Sequence, residues 1–333
     1  LEVLSNANDL EIQKLPAYMQ HTNITVKHFE QGHVFDLVVS VYYEQEQASV
    51  RIMDSHTNIV QMTKNWKVIY QDENTNLNRK TDHSALVMKQ IWDFSQSVDI
   101  ADIQDTLNQQ IAYNMAIAKE GIKNSYGANI GHVILSMDTD CVKTKAKAYA
   151  AAGSDARMNG CELPVVINSG SGNQGITCCV PVVVYAKELG CTKEKLYRAL
   201  VLSNLTAIYI KTGIGTLSAF CGAVSAGAAA GAGIAYLCGG KYEEIQHTIV
   251  NALAILSGTI CDGAKASCAA KIASSVDAGI MGYYMFKNKQ QFYAGDGIVA
   301  SSVDETIKNI GTLGSQGMLQ TNDKIIEMMI SCD

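Results

Sequence analysis

The feature that most restricts the fold is an uncharged run over residues 214–238, IGTLSAFCGAVSAGAAAGAGIAYLC. The run is long enough to cross a bilayer, but it is mostly Gly, Ala and Ser and has few of the side chains that drive insertion. Spacing of four residues aligns its small side chains in two adjacent stripes, which are Gly222, Ala226 and Ala230 and, beside them, Ala223, Gly227 and Gly231. Because small residues let neighbouring backbones approach closely, we predict a helix crowded on all sides at the centre of a domain, and no membrane partner.

Composition agrees with a tightly packed protein. The chain has 333 residues, enough for two ordinary domains, and combines 17% charged residues with 27 glycines and only 3 prolines. A net charge of −6 without a Lys/Arg block excludes a phosphate-tracking surface, so we expect no nucleic-acid partner. Ten cysteines, without a secretory leader or zinc-finger spacing, indicate a reducing, cytoplasmic location and no structural zinc.

The first third of the chain mixes a helical start with the two-residue period of strands. Residues 1–19 are predicted to form a short helical piece that ends near Pro16 and belongs to a larger helical domain. Alternation of apolar and polar residues then occurs at Ile24 and Val26, at residues 37–43 and at residues 48–52. Turns are expected at residues 44–47 and at Gly32. We predict a small α/β domain over residues 20–98, closed by a helix over residues 84–97.

The helical period dominates from Ile100 onward. Asp99 or Asp102 can cap a long helix that stops around Gly127, and further caps are expected at Thr192 and at Ser302, where Glu305 follows three residues later. Residues 99–333 are therefore predicted to form a helical catalytic domain. The predicted fold class is α+β, with a large all-helical catalytic domain and a smaller α/β domain near the N-terminus.

Thiol, carboxylate and ammonium groups are gathered in residues 257–270, SGTICDGAKASCAA. Cys261 and Cys268 bracket an Asp-Gly-Ala-Lys segment, and deprotonated cysteine is a strong ligand for soft metals. The alternative is a buried helix start in which Asp262 caps the helix, Lys265 is solvated and both cysteines are small apolar residues.

A second polar cluster, residues 168–175 (NSGSGNQG), lies between an apolar run and a helix expected to start near Ile176. Free backbone N–H groups at a glycine-rich helix N-terminus suit a phosphate or a carboxylate, whereas the alternative is an ordinary capping loop. The candidate binding residues are Ser169, Gly170, Ser171, Gly172, Asn173 and Gln174. His56, in a polar turn after a strand, could serve as a base or carboxylate binder, or it could simply be a solvated histidine.

Five strings occur together and in order: SGSGNQGIT at 169–177, ALVLSNLTAIYIK at 199–211, IGTLSAFCGA at 214–223, ICDGAKASCAAKI at 260–272 and TIKNIG at 306–311. Together they closely resemble the L-cysteine desulfidase family, which is related to the alpha chain of iron-sulfur L-serine dehydratase. The resemblance covers nearly the whole chain. It implies an oxygen-sensitive 4Fe-4S enzyme that eliminates the β-substituent of a small amino acid to give pyruvate and ammonia, with sulfide released from cysteine.

The resemblance also implies cluster ligands. Cys221 and Cys261, 40 residues apart, fall where the family places cluster thiolates, and Cys268 falls near a third ligand position of the serine dehydratases. The family's remaining desulfidase ligand resembles a cysteine in a GCTEP motif, which does not occur here. Either a segment that precedes Leu1 supplies this ligand, or Cys268 completes the set. Cys332 resembles a tail ligand of some dehydratases, or it is a surface thiol.

Further residues are given roles that are consistent with the resemblance. The SGSGNQG loop would hold the substrate carboxylate, and Lys265 or Lys211 could add positive charge; Lys265 and His56 are the candidate catalytic residues, and the α-proton base is left open. Cysteine or serine remains open as the substrate, and a homodimer remains open as the assembly. Two rival readings are a pyridoxal-phosphate lyase, because Ser171-Gly172-Asn173-Gln174-Gly175 also resembles that cofactor's substrate loop, and a non-catalytic sensor of iron, oxygen or cysteine.

Overall fold

The computed structural model describes residues 8–28, 35–54, 58–72, 82–83 and 85–331. The chain divides into two compact units, one made of Leu1–Asp82 with Asp323–Asp333 and the other of His83–Asn322. A small antiparallel sheet lies in the first unit and helices dominate the second, so the predicted α+β class is confirmed. The predicted domain limits at residues 19 and 98 stay a prediction.

The first unit begins with helix α1 (Asp9–His21). Asn8 caps this helix, since its side-chain oxygen accepts a hydrogen bond from the backbone N–H of Glu11 at 3.0 Å. The predicted end near Pro16 is wrong, because the helix continues through this proline to its last residue. Pro16 lies on an exposed surface, where water can reach the carbonyl that loses its helical partner.

A four-stranded antiparallel sheet follows, with its strands in sequence order. The strands are β1 (Asp36–Tyr43), β2 (Glu46–Met53), β3 (Ile59–Lys64) and β4 (Lys67–Gln71). The predicted turn lies between β1 and β2, with Glu44 in the left-handed region at φ 53°. The predicted strand at Ile24 and Val26 is wrong: residues 23–28 form no regular element, because alternation alone does not supply the hydrogen-bonded neighbour that a strand needs. The predicted turn at Gly32 lies outside the described residues.

The second unit is built from helices. They are α2 (Met88–Ser97), α3 (Ile100–Lys123), α4 (Ile130–Met137), α5 (Val142–Met158), α6 (Gly172–Glu188), α7 (Lys193–Ile214), α8 (Gly222–Leu237), α9 (Tyr242–Ile255), α10 (Ser267–Lys287) and α11 (Val303–Thr312), followed by a π-helical turn (Leu313–Gly317). The last helix, α12 (Leu319–Ser331), begins in this unit, and its residues from Asp323 onward belong to the first unit. The predicted caps are confirmed, since Asp99, Thr192 and Ser302 each accept a backbone N–H at the start of α3, α7 and α11. The helix predicted to stop near residue 127 ends earlier, and the one predicted from residue 84 begins later.

Helix α8 lies at the centre of the second unit, as predicted from its small residues. Nearly every one of its side chains is buried. Contact with α10 is very close: a Cβ added at Gly231 would lie 2.6 Å from the carbonyl oxygen of Gly279. Residues 215–221 of the run are not helical, because Gly215, at φ 91°, follows the end of α7 and the chain then extends. No helix among the described residues has both the length and the apolar character that a membrane span requires.

Candidate functional site

The SGSGNQG loop forms a tight turn that leads directly into α6. Asn168 and Ser171 exchange two backbone hydrogen bonds of 3.0 and 3.1 Å, with Ser169 and Gly170 at φ 48° and 78° between them. Ser171 is the N-cap of α6, and its hydroxyl accepts the N–H of Gln174 at 3.4 Å. The helix therefore begins at Gly172 and not near Ile176, so half of the predicted loop is its first turn.

Buried amides of α3 and α7 hold this turn in place. The Asn168 side chain donates to the side-chain oxygen of Asn204 at 3.0 Å and to its carbonyl at 3.2 Å. Gln110 and Asn204 in turn exchange hydrogen bonds of 2.8 and 2.9 Å between their side chains. The preceding segment is fixed by Asn114, whose side chain bonds both backbone groups of Val166. A loop anchored in this way is preorganised before any ligand arrives.

Arg157, in the last turn of α5, lies against the start of α6. Its Nη1 donates to Asn173 Oδ1 at 3.3 Å. A Cβ at Gly172 would lie 2.3 Å from the Arg157 Nε, so any larger residue would force the guanidinium to move from this position. Burial lowers the pKa of Arg157, and the nearby Cys268 thiol opposes that change. Arg157 is not among the site residues predicted from the sequence.

Cys221 and Cys261 are brought together by a short backbone bridge. Phe220 and the residue before Cys261 pair as an antiparallel bridge. The N–H of Cys221 donates to Thr259 at 3.1 Å, and the N–H of Cys261 donates to Ala219 at 2.7 Å. The two thiols are then close enough to share a side-chain hydrogen bond. The expectation that these sulfurs lie on one site, although 40 residues separate them, agrees with this geometry.

The electrostatics of the pair favour a thiolate at Cys261. The hydrogen bond from Cys221 lowers the pKa of Cys261 to about 6, against the effect of burial, and raises the pKa of Cys221. The backbone N–H of Gly263 and the charges of Lys271 and Lys211 also contribute to this lowered pKa of Cys261. Deprotonated sulfur is the form that binds metal and attacks electrophiles.

Two cations next to the pair come from different helices. Lys211, in the last turn of α7, is only 7% exposed, and burial lowers its pKa while both cysteines oppose that shift. Lys271, on α10, donates to the carbonyl of Ile260 at 2.8 Å and forms an ion pair with Asp262. Lys271 was also missed from the sequence, although its position three residues after Cys268 on a helix was a usable signal.

Two sets of contacts link the SGSGNQG loop to the cysteine pair. On one side, a Cβ at Gly222 would lie 2.7 Å from Cδ of Gln174, so this amide packs against the residue that follows Cys221. On the other side, the Cys268 thiol interacts with the charge of Arg157 and donates to the carbonyl of Gly263 at 3.6 Å. The structure therefore places the predicted loop and the predicted cysteines around one region.

Other predicted site residues lie elsewhere or are not covered. Lys265 is 44% exposed in its side chain and is tied to Asp262 in an ion pair, so it lies on the surface with its charge matched. His56 and Cys332 fall outside the described residues. The assignment of Lys265, His56 and the loop residues to roles in a reaction stays a prediction.

The donor chemistry of the cysteine pair suits an iron-sulfur cluster. Two adjoining thiols with cations beside them are the kind of ligand that soft metals prefer. Within the ranges that the structure describes, there is no group of three or more His, Cys, Asp or Glu side chains placed to hold a metal ion. Cys221 and Cys261 thus fit two thiolate positions, and Cys268 as a third ligand stays a prediction.

Known proteins resemble this chain along almost its entire length. Residues 36–327 match the family model of the serine dehydratase alpha chain. A UPF0597 protein of Desulfitobacterium hafniense is 52% identical over 333 residues, which cover 99% of this chain and 77% of that protein. UPF0597 proteins of Finegoldia magna and Lachnoclostridium phytofermentans are 46% and 45% identical over 99% of this chain and 79% and 80% of their own length. The chain therefore belongs to the serine dehydratase alpha chain family.

Proposed function

We propose that this protein is an iron-sulfur dependent lyase that converts L-cysteine to pyruvate, ammonia and sulfide, or L-serine to pyruvate and ammonia. The proposal rests on one observation: the Cys221–Cys261 pair and the SGSGNQG loop lie next to each other in the helical unit. Membership of the serine dehydratase alpha chain family supports the class of reaction. The 4Fe-4S cluster is part of this proposal, and cysteine or serine remains open as the substrate.

When bound, a 4Fe-4S cluster with an open iron position supplies a Lewis acid for the departing group of the substrate. Cys221 and Cys261 would provide two of its thiolates, with Cys268 as the candidate third. Lys211 and Lys271 contribute by placing positive charge beside these sulfurs, which favours the deprotonated form that a metal needs.

The chain itself has to bind and orient the amino acid. The start of α6 offers free backbone N–H groups and the positive end of a helix dipole, both of which favour a carboxylate. The buried amides behind the loop keep those groups in a fixed position, so little ordering is required on binding. The proton on Cα must then be removed while the Cβ–S or Cβ–O bond breaks, and a positioned base contributes roughly 10²–10⁴-fold.

The reaction is balanced without an oxidant. L-cysteine loses its Cα proton and its β-thiol as hydrogen sulfide; the enamine that remains takes up water and releases ammonia to give pyruvate. Serine follows the same course with water as the leaving molecule. Neither reaction involves a net oxidation or reduction, so the assay of the reconstituted protein needs no added oxidant or reductant.

The test is anaerobic reconstitution of the full chain with iron and sulfide, followed by measurement of bound iron, pyruvate and released sulfide. We expect pyruvate from L-cysteine or L-serine but not from D-cysteine, in proportion to bound iron. Reconstituted protein that binds iron and forms no pyruvate from either substrate would contradict the proposal. Turnover by iron-free protein on addition of pyridoxal phosphate would support the rival lyase, and iron binding that changes with cysteine but without turnover would support a sensor.

A further inference from the structure

Arg157 carries a half-buried charge that no acid in the described part of the chain balances. Among the described arginines, Arg51 and Arg198 form ion pairs with carboxylates, whereas the contact of the Arg157 guanidinium is a neutral amide, Asn173 Oδ1, at 3.3 Å. A partly desolvated cation without an anion is costly, and a bound anion would offset that cost. The carbonyls at the end of α5 favour a cation here, but they do not account for its position against α6.

The first turn of α6 is shaped around this guanidinium. Gly172 has no Cβ, and one would lie 2.3 Å from Nε of Arg157, so the planar group lies directly against the backbone at the helix start. An anion bound there would meet both the guanidinium and the free N–H groups of the first turn. Arginine binds a carboxylate through two parallel hydrogen bonds, a geometry that lysine cannot provide.

An independent feature next to this turn is the side chain of Gln174. It is 6% exposed, and its Oε1 is buried with no hydrogen-bond partner among the described atoms. A buried carbonyl oxygen without a donor is destabilising, and natural proteins keep few of them. Gln174 lies against Gly222, beside Cys221, on the side of the loop that faces the cysteine pair.

We propose that Arg157 and Gln174 form the subsite for the two charged ends of a small amino acid: the Arg157 guanidinium binds the α-carboxylate and the Gln174 Oε1 accepts a hydrogen bond from the α-ammonium. Arg157 contacts Gly172 and Asn173, the two residues that precede Gln174 in the first turn of α6, so both groups lie at the start of the same helix. The identity of the ligand as an amino acid rests on the proposed function. The side chain of that amino acid would then extend toward the cysteine pair.

Three unreactive probes separate the two contacts. L-alanine has both charged groups and no β-leaving group, propionate has the carboxylate alone and ethylamine has the ammonium alone. Binding to the full chain is measured by ligand-observed NMR titration, with and without reconstituted iron. We expect Arg157→Gln to weaken L-alanine and propionate roughly tenfold or more, because a hydrogen-bonded charge is lost, and to leave ethylamine unchanged. Arg157→Lys should recover only part of the loss.

Gln174→Leu is the complementary variant. It should weaken L-alanine and ethylamine, leave propionate unchanged, and keep or raise the melting temperature, since it removes a buried unpaired oxygen. Lys187→Gln, which removes an exposed charge at the far end of α6, is the matched control and should bind all three probes as the wild type does.

The outcomes distinguish this subsite from the reaction. Folded Arg157→Gln protein that binds propionate like the wild type overturns the carboxylate contact, as does wild-type protein that binds none of the probes. Gln174→Leu protein that binds ethylamine and L-alanine unchanged overturns the ammonium contact. If both contacts hold but neither cysteine nor serine yields pyruvate, the proposed function fails while the amino-acid subsite stands.

Discussion

Replacing Gly279 with alanine should lower the melting temperature, although alanine is the better helix former. Its added Cβ would lie 2.2 Å from the backbone oxygen of Gly227, more than 1 Å inside ordinary contact by the roughly 3.5 Å optimum between heavy atoms. A backbone oxygen in the middle of buried α8 cannot move aside as a flexible side chain can. Overpacking of this kind costs about 1–3 kcal/mol, and we take the upper end because both neighbours are backbone.

Alanine gains about 1 kcal/mol of helix propensity over glycine, so the net loss should be about 2 kcal/mol. For a unit the size of His83–Asn322, each kcal/mol lowers the melting temperature by about 2–4 °C, which gives a drop of roughly 4–8 °C. Thermal unfolding followed by circular dichroism measures it. Gly258→Ala is the control, because no atom lies within 4 Å of its added Cβ, and it should change little. A melting temperature that rises in Gly279→Ala would refute the reasoning from close helix packing.

Three further predictions concern the site and its support. Replacing Cys221 or Cys261 with serine should abolish both bound iron and activity after reconstitution. Full iron loading in either variant, measured by metal analysis, would contradict the assignment of that cysteine as a cluster ligand. Asn173→Ala should impair steady-state kinetics while the absorption spectrum of the reconstituted protein stays unchanged, and loss of that spectrum would point to a structural role. Asp277, which bridges two lysines of α5, has its pKa lowered by those lysines against the effect of burial. Because the pKa of Asp277 is lower in the folded state, its ionised carboxylate stabilises the fold at pH values above the unfolded pKa, and this stabilisation is lost as the pH falls through the folded pKa. Asp277→Asn should therefore lower the free energy of unfolding at pH 7 by under about 1 kcal/mol and make little difference near pH 2. Equal losses at both pH values in urea unfolding would contradict the ion pair as the cause.

Local chemistry made several elements predictable. Thr192 and Ser302 were recognised as caps because a hydroxyl before a helical period has one obvious role, and the structure shows both accepting an N–H at a helix start. The crowding around α8 followed from residue size alone. The strand expected at Ile24 was wrong for the opposite reason, since pairing of strands depends on partners that a local pattern does not reveal.

The site was only partly accessible from the sequence. Cys221 and Cys261 were paired through the family resemblance, and no spacing rule places two residues 40 positions apart on one backbone bridge. Arg157 was missed because its only sequence context is an alanine-rich helix end. What makes it a site residue is its packing against Gly172 of another helix, which the sequence does not show. Lys265 was favoured by its closeness to Cys261 in sequence, but the chain turns it toward Asp262 at the surface.

The backbone bridge between residues 219–221 and 259–261 has a consequence for how the gene can be altered. What fixes the two sulfurs is a few hydrogen bonds at the ends of the intervening chain, while α8 and α9 form a helical hairpin whose connection around Gly239 is exposed. Residues inserted at this connection lengthen the interval between the cysteines without disturbing the bridge. The added entropy cost of closing the longer loop is small. A single residue inserted beside Phe220 would instead shift the register of the bridge and separate the thiols. A reporter peptide is thus best inserted at the connection around Gly239. Next to the bridge, by contrast, the insertion of a single codon would abolish the site.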